Sequence, residues 1–113
     1  MKAIAYTQHG LPLEDPRSLD LIDLPKPTPG PRDLLVAVRA VAVNPVDTKV
    51  RAFFATDGAR VLGWDAVGTV EQVGSDVTLF KQGDTVYYAG SLLRPGNHAE
   101  YGLVDERIAG HKP

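Results

Sequence analysis

Glycine and proline interrupt this chain at short intervals: 11 glycines and 9 prolines are spread through 113 residues, so few stretches have room for a helix of about ten residues or more. What remains is short extended segments joined by turns. Apolar and β-branched runs bounded by turn residues predict strands over 2–7, 20–24, 33–43, 66–73, 85–89 and 99–104. Turn-rich segments at 25–31, 74–76 and 93–97 separate them. In 33–43 β-branched residues dominate and both faces are largely apolar, which predicts a central strand covered on two sides. Strands this short and this closely spaced predict a barrel or a sandwich.

Only 45–55 carries a helical pattern. Pro45 suits the first helical position, and Val46, Val50, Phe53 and Phe54 recur at three- to four-residue spacing. Asn44 then falls at the N-cap, where its side-chain oxygen can accept from an unpaired backbone amide. Gly68, inside an apolar strand, predicts a bend, a bulge or a close backbone approach, and Gly83-Asp84 reads as a turn. The glycines of 63–68 do not begin a phosphate loop, because no Gly-Lys-Ser/Thr follows and the flanks are strands.

Composition excludes several kinds of chemistry. Cysteine is absent, which removes disulfides, thiolate nucleophiles and cysteine-ligated metal sites. His9, His98 and His111 show no metal-ligand spacing, so no metal site is expected. A net charge of -2 gives no basic face for a nucleic acid partner. Arg39 interrupts the longest apolar segment, well short of the roughly 18 residues of a membrane span. Without a secretion signal at its start, the chain is expected to be cytoplasmic, with no membrane partner. A single domain over 1–113, with one modest core, is expected from the length.

Five segments, in this order and spacing, resemble the medium-chain dehydrogenases and reductases, in particular the branch similar to quinone oxidoreductases and zinc-type alcohol dehydrogenases. They are Met1-Lys2-Ala3, Val43-Asn44-Pro45-Val46-Asp47-Thr48-Lys49, Leu62-Gly63-Trp64-Asp65-Ala66-Val67-Gly68-Thr69-Val70, Phe80-Lys81-Gln82-Gly83-Asp84-Thr85-Val86 and Asn97-His98-Ala99-Glu100-Tyr101. The resemblance implies a mainly β fold, a GroES-like β-barrel with one or two short helices, preceding a Rossmann domain that holds NADPH or NADH. Gly110-His111-Lys112-Pro113 follows a strand-like patch and reads as a domain boundary. On this expectation the chain supplies one wall of a cleft, is inactive alone, and belongs to an enzyme that forms a homodimer and takes a small carbonyl compound or quinone. A non-enzymatic binding or assembly module of GroES-like fold is the alternative.

The resemblance also assigns site residues. Zinc-dependent relatives place a cysteine ligand at the position of Asn44 and a histidine in a Gly-His-Glu segment that resembles Gly63-Trp64-Asp65, and neither ligand type is present here. A zinc-independent reductase is implied, in which Asn44, Pro45, Val46 and Lys49 face the cofactor and Asn44, Asp47, Trp64 and Asp65 carry the catalytic positions. Asn44 either donates to a developing oxyanion or cofactor carboxamide or simply caps the helix. Asp47 and Asp65 are remnants paired with Arg51 or Lys49, or ordinary solvated carboxylates. Phe53, Trp64 and Tyr88 either wall a pocket for flat apolar substrates or pack the core.

Overall fold

The computed structural model describes residues 1–113. Two antiparallel sheets make up the fold. The smaller holds β1 (Lys2–Tyr6) between β2 (Asp20–Asp23) and β4 (Arg60–Val61). The larger runs β7-β3-β5-β6-β8, with β3 at Asp33–Ala42, β5 at Asp65–Val73, β6 at Thr85–Ala89, β7 at Tyr101–Asp105 and β8 at Ala109–His111. The sheets do not close through a continuous ladder. They are stitched by the Ala3–Ala99 bridge and by the N–H groups of Ile4 and Glu100, which donate to the carbonyls of His98 at 2.8 Å and Lys2 at 3.1 Å. The one α-helix, α1, spans Pro45–Phe53. This is the mainly β fold with a short helix that was expected.

Alternation selects which side chains go inside. In β5 Ala66, Gly68 and Val70 are buried while the residues between them are not, and in β7 Gly102 and Val104 do the same. These residues meet Leu34, Val36, Phe80, Val86 and Tyr88 in the main core. A second cluster joins Tyr6, Val50, Leu62 and Trp64, so that α1 is fastened to the back of the small sheet. Each fully buried Leu or Val contributes about 1.5–3 kcal/mol. The strand β3 is covered on both sides only over Asp33–Val36. From Arg39 it becomes exposed, and β5 is the middle strand of the five.

Gly68 satisfies two of its expectations together. It pairs with Val38, where the register shifts before Ala40, and a Cβ there would lie 2.4 Å from the Ala37 carbonyl oxygen. Two carboxylates fasten the loops to this frame. Asp33 takes both guanidinium nitrogens of Arg94 at 2.8 and 2.9 Å, and this contact holds its carboxyl below the usual carboxylate range. Glu106 is fully buried and accepts from the N–H groups of Thr78 and Leu79, both at 3.0 Å, and from Arg32 at 3.2 Å. Foremost the Thr78 N–H, then those of Leu79 and Arg32, hold it below its ordinary range against the opposing effect of burial.

The helix is shorter than its pattern predicts. Phe54 is already extended and its N–H closes back on the Val50 carbonyl. Phe53 lies on the same stripe as Val46 and Val50 but one turn beyond the end of the second core, and so it is 75 % exposed. Neither β4 nor β8 was foreseen. A two-residue strand has no periodicity to read, and Ala-Gly-His has no alternation.

Candidate functional site

At one end of the large sheet Ala42, Asp65 and Ala89 stand side by side in register. Beyond Ala42 the chain stays extended through Asn44 (φ -124°, ψ 162°), and Pro45 then starts α1. Asn44 is thereby carried across the mouth of β5. Its side-chain Nδ2 donates to Asp65 Oδ2, an exposed carboxylate.

Asp47 holds this corner together. Only 4 % exposed, it accepts the Asn44 N–H at 2.8 Å on Oδ2 and the Gly63 N–H at 3.0 Å on Oδ1. The first contact belongs to a capping box, in which a carboxylate in the first turn also meets the positive end of the helix dipole. The second ties α1 to the segment leading into β5. Gly63 has φ +94°, and a Cβ there would sit 2.7 Å from the His98 ring and 2.8 Å from Val41, so only glycine fits. Its carbonyl accepts from Asn97 twice, from the backbone N–H at 2.6 Å and from Nδ2 at 3.1 Å. Asn97 Oδ1 in turn accepts the Tyr88 hydroxyl at 2.7 Å. Burial pushes the Tyr88 phenol well above its ordinary value, so it serves as a neutral donor. A single hydrogen-bonded line thus runs from Tyr88 in the main core through Asn97, Gly63 and Asp47 to the Asn44–Asp65 pair at the surface.

The structure brings Asn44, Pro45, Val46, Asp47 and Asp65 to this corner and distributes the other expected residues elsewhere. Trp64 is 4 % exposed, packed against Tyr6, Val50 and Leu62, with its indole N–H donating to the Arg94 carbonyl at 3.3 Å. Tyr88 is a main-core residue. Trp64 is thus a packing residue, while Tyr88 both packs in the core and lines a cavity at the sheet end that holds Ala42, Asp65 and Ala89. Lys49 is exposed on α1, and Phe53 projects into solvent at its end. The expected ion pairs of Asp47 and Asp65 with Arg51 or Lys49 do not form, because backbone N–H groups and Asn44 take the carboxylates, while Arg51 donates to the Leu11 carbonyl at 2.6 Å.

Asn97 was missed, because Pro-Gly-Asn reads as a turn and nothing in the sequence reveals that this amide is turned inward. Leu92 and Leu93 were missed as well. Leu93 is 96 % exposed, and Arg60, whose guanidinium lies 5.7 Å from the Trp64 ring centre, donates to the Leu92 carbonyl at 2.6 Å.

Zinc does not fit this donor set. The side chain at the cysteine position is an amide that donates to Asp65, the one at the histidine position is an indole sealed in the core, and no three His, Cys, Asp or Glu residues gather to hold a metal ion.

The fold and this corner can be set beside known proteins. The alcohol dehydrogenase GroES-like domain family matches residues 30–113. A zinc-type alcohol dehydrogenase-like protein of Staphylococcus aureus strain COL is 48 % identical over 113 residues, covering 100 % of this chain and 34 % of the relative. A structure from Rhizobium etli CFN 42, provisionally assigned as a zinc-dependent alcohol dehydrogenase, superposes with a TM-score of 0.96 at 55 % identity, over 100 % of this chain and 33 % of that one. The Escherichia coli quinone oxidoreductase complexed with NADPH gives 0.83 at 26 % identity, again over 100 % of this chain and 33 % of that one. The chain therefore spans about one third of the length of these relatives. Its class is that of an oxidoreductase-family domain of GroES-like fold. Within that class the chain belongs to the alcohol dehydrogenase GroES-like domain family of the medium-chain dehydrogenases and reductases. No helix is long and apolar enough to cross a membrane.

Proposed function

We propose that residues 1–113 form one domain that supplies the substrate side of a zinc-independent, NAD(P)H-dependent reductase of quinones, enones or aldehydes, inactive when separated from the cofactor-binding side. The observation that supports this reading is the Asn44–Asp65 contact, which orients the amide of Asn44, the residue that the resemblance matches to a cysteine ligand of the zinc enzymes. An amide nitrogen has two N–H groups. With one held by Asp65, the other is free to donate to a carbonyl oxygen, either that of the substrate or that of the nicotinamide carboxamide. The carboxylate polarises the amide and makes its bond charge-assisted. Pro45 and Val46 form the apolar edge beside it, and Lys49 adds a positive charge one turn along α1. NADPH, when bound, supplies the hydride.

In a protein carrying this sequence at the length of its relatives, NADPH-dependent reduction of 1,4-benzoquinone is expected to survive exhaustive dialysis against a chelator. Asn44→Ala is expected to lower kcat/KM about 10²-fold, as loss of one oxyanion donor does. Stoichiometric zinc whose removal abolishes turnover, or an Asn44→Ala variant with unchanged kcat/KM, would overturn the reading.

A further inference from the structure

A cavity of about 320 Å³, apart from the Asn44–Asp65 corner, lies between α1, β1 and the loop that follows β1. Neither Asn44 nor Asp65 lines it. Its walls are Ile4, Leu13, Leu19, Val43 and Leu62, and its size is at the small end of the range for small-molecule sites. Four polar side chains share the lining: Asp47, Thr48, Arg51 and His98. Two of these are already engaged. The Asp47 oxygens receive the N–H groups of Asn44 and Gly63, and the Thr48 hydroxyl donates to the Pro45 carbonyl at 2.7 Å.

Arg51 is different. It uses one nitrogen on the Leu11 carbonyl, and none of the ion pairs in the chain includes it. A half-buried guanidinium has five N–H donors and binds a carboxylate best through two of them. Asp47 lies one turn away on the same helix face, about 6 Å of rise, with its oxygens taken by backbone N–H groups and no ion pair to Arg51, so the cavity is polarised: a cation without an ion-pair partner stands at the end near Leu11. Apolar surface runs from there toward Val43 and Leu62.

We propose that this cavity binds an alkyl carboxylate, the carboxylate on Arg51 and the chain along Ile4, Leu19 and Leu62. The occupant follows from the pairing of one free guanidinium with apolar walls. A neutral alkyl chain would leave the guanidinium without a partner, and an alkylammonium would be repelled by it.

Calorimetric titration of the 113-residue chain with sodium octanoate tests the assignment, with 1-octanol and octylammonium as comparisons. The expected result is saturable octanoate binding, at least tenfold tighter than either comparison, and weakened about tenfold or more by Arg51→Gln. Arg51 also tethers Leu11, so a second variant guards against loss of fold. Leu13→Glu, on the 68 % exposed rim residue, is expected to abolish octanoate binding by placing a like charge at the mouth. Absence of saturable binding, octanol binding as tightly as octanoate, or octanoate affinity unchanged in both variants would overturn the proposal. So would sedimentation showing a dimer that Leu13→Glu dissociates, since the face would then belong to a second copy.

Discussion

Alanine at position 74 is expected to cost about 3 kcal/mol or more, read as a fall in the urea midpoint with an unchanged slope. The reason is not backbone conformation, because Gly74 does not have a positive φ. A Cβ at this position would fall 1.9 Å from the Gly30 carbonyl oxygen and 2.5 Å from that of Pro31. Both obstacles are backbone, and both lie in a turn that is itself pinned: the Gly74 N–H donates to the Asp33 carbonyl and the Asp76 N–H to that of Pro31, each at 2.8 Å. Relief would require two chain segments to separate, and with them the turn that carries Asp33 and its bond to Arg94. Gly83→Ala makes the contrast. Gly83 has φ +94° but nothing within 4 Å of its would-be Cβ, so that variant is expected to lose only about 1–2 kcal/mol.

Asp47→Ala is expected to cost about 2–6 kcal/mol, because it leaves the buried Gly63 N–H and the part-buried Asn44 N–H without an acceptor, at about 1–3 kcal/mol each. An ordinary solvated carboxylate would give a change within about 0.5 kcal/mol. The same variant is expected to disturb the surface pair, since Asp47 fixes the Asn44 backbone through one oxygen and the approach to Asp65 through the other. The side-chain amide resonances of Asn44 in a ¹H–¹⁵N spectrum should therefore collapse toward solvent-exposed values in Asp47→Ala. Retained Asn44 resonances would mean that the amide is oriented by Asp65 alone.

The strands were legible where alternation or a continuous β-branched run extended over five residues or more, and β6 falls within the range that its pattern predicted. The helix start was legible because asparagine followed by proline has a local meaning at an N-terminus. Its end was not, because Phe53 and Phe54 continue an apolar stripe after the core they would pack on has run out. Trp64 shows the same limit in the candidate site: the sequence left pocket wall and core both open, and the choice is set by Leu62 together with Tyr6 and Val50, which are distant in sequence. Asp47 could be picked out from its segment, but its partner at Gly63 could not, since that hydrogen bond depends on how α1 lies against the approach to β5.

On the proposed reading this chain provides an oriented carbonyl partner while the cofactor is held elsewhere. The most direct test is calorimetric titration of the 113-residue chain with NADPH, accompanied by a turnover assay with 1,4-benzoquinone. No saturable heat and no quinone reduction are expected. Saturable binding of NADPH, or turnover by the chain alone, would contradict the reading and would place a complete cofactor site within these two sheets.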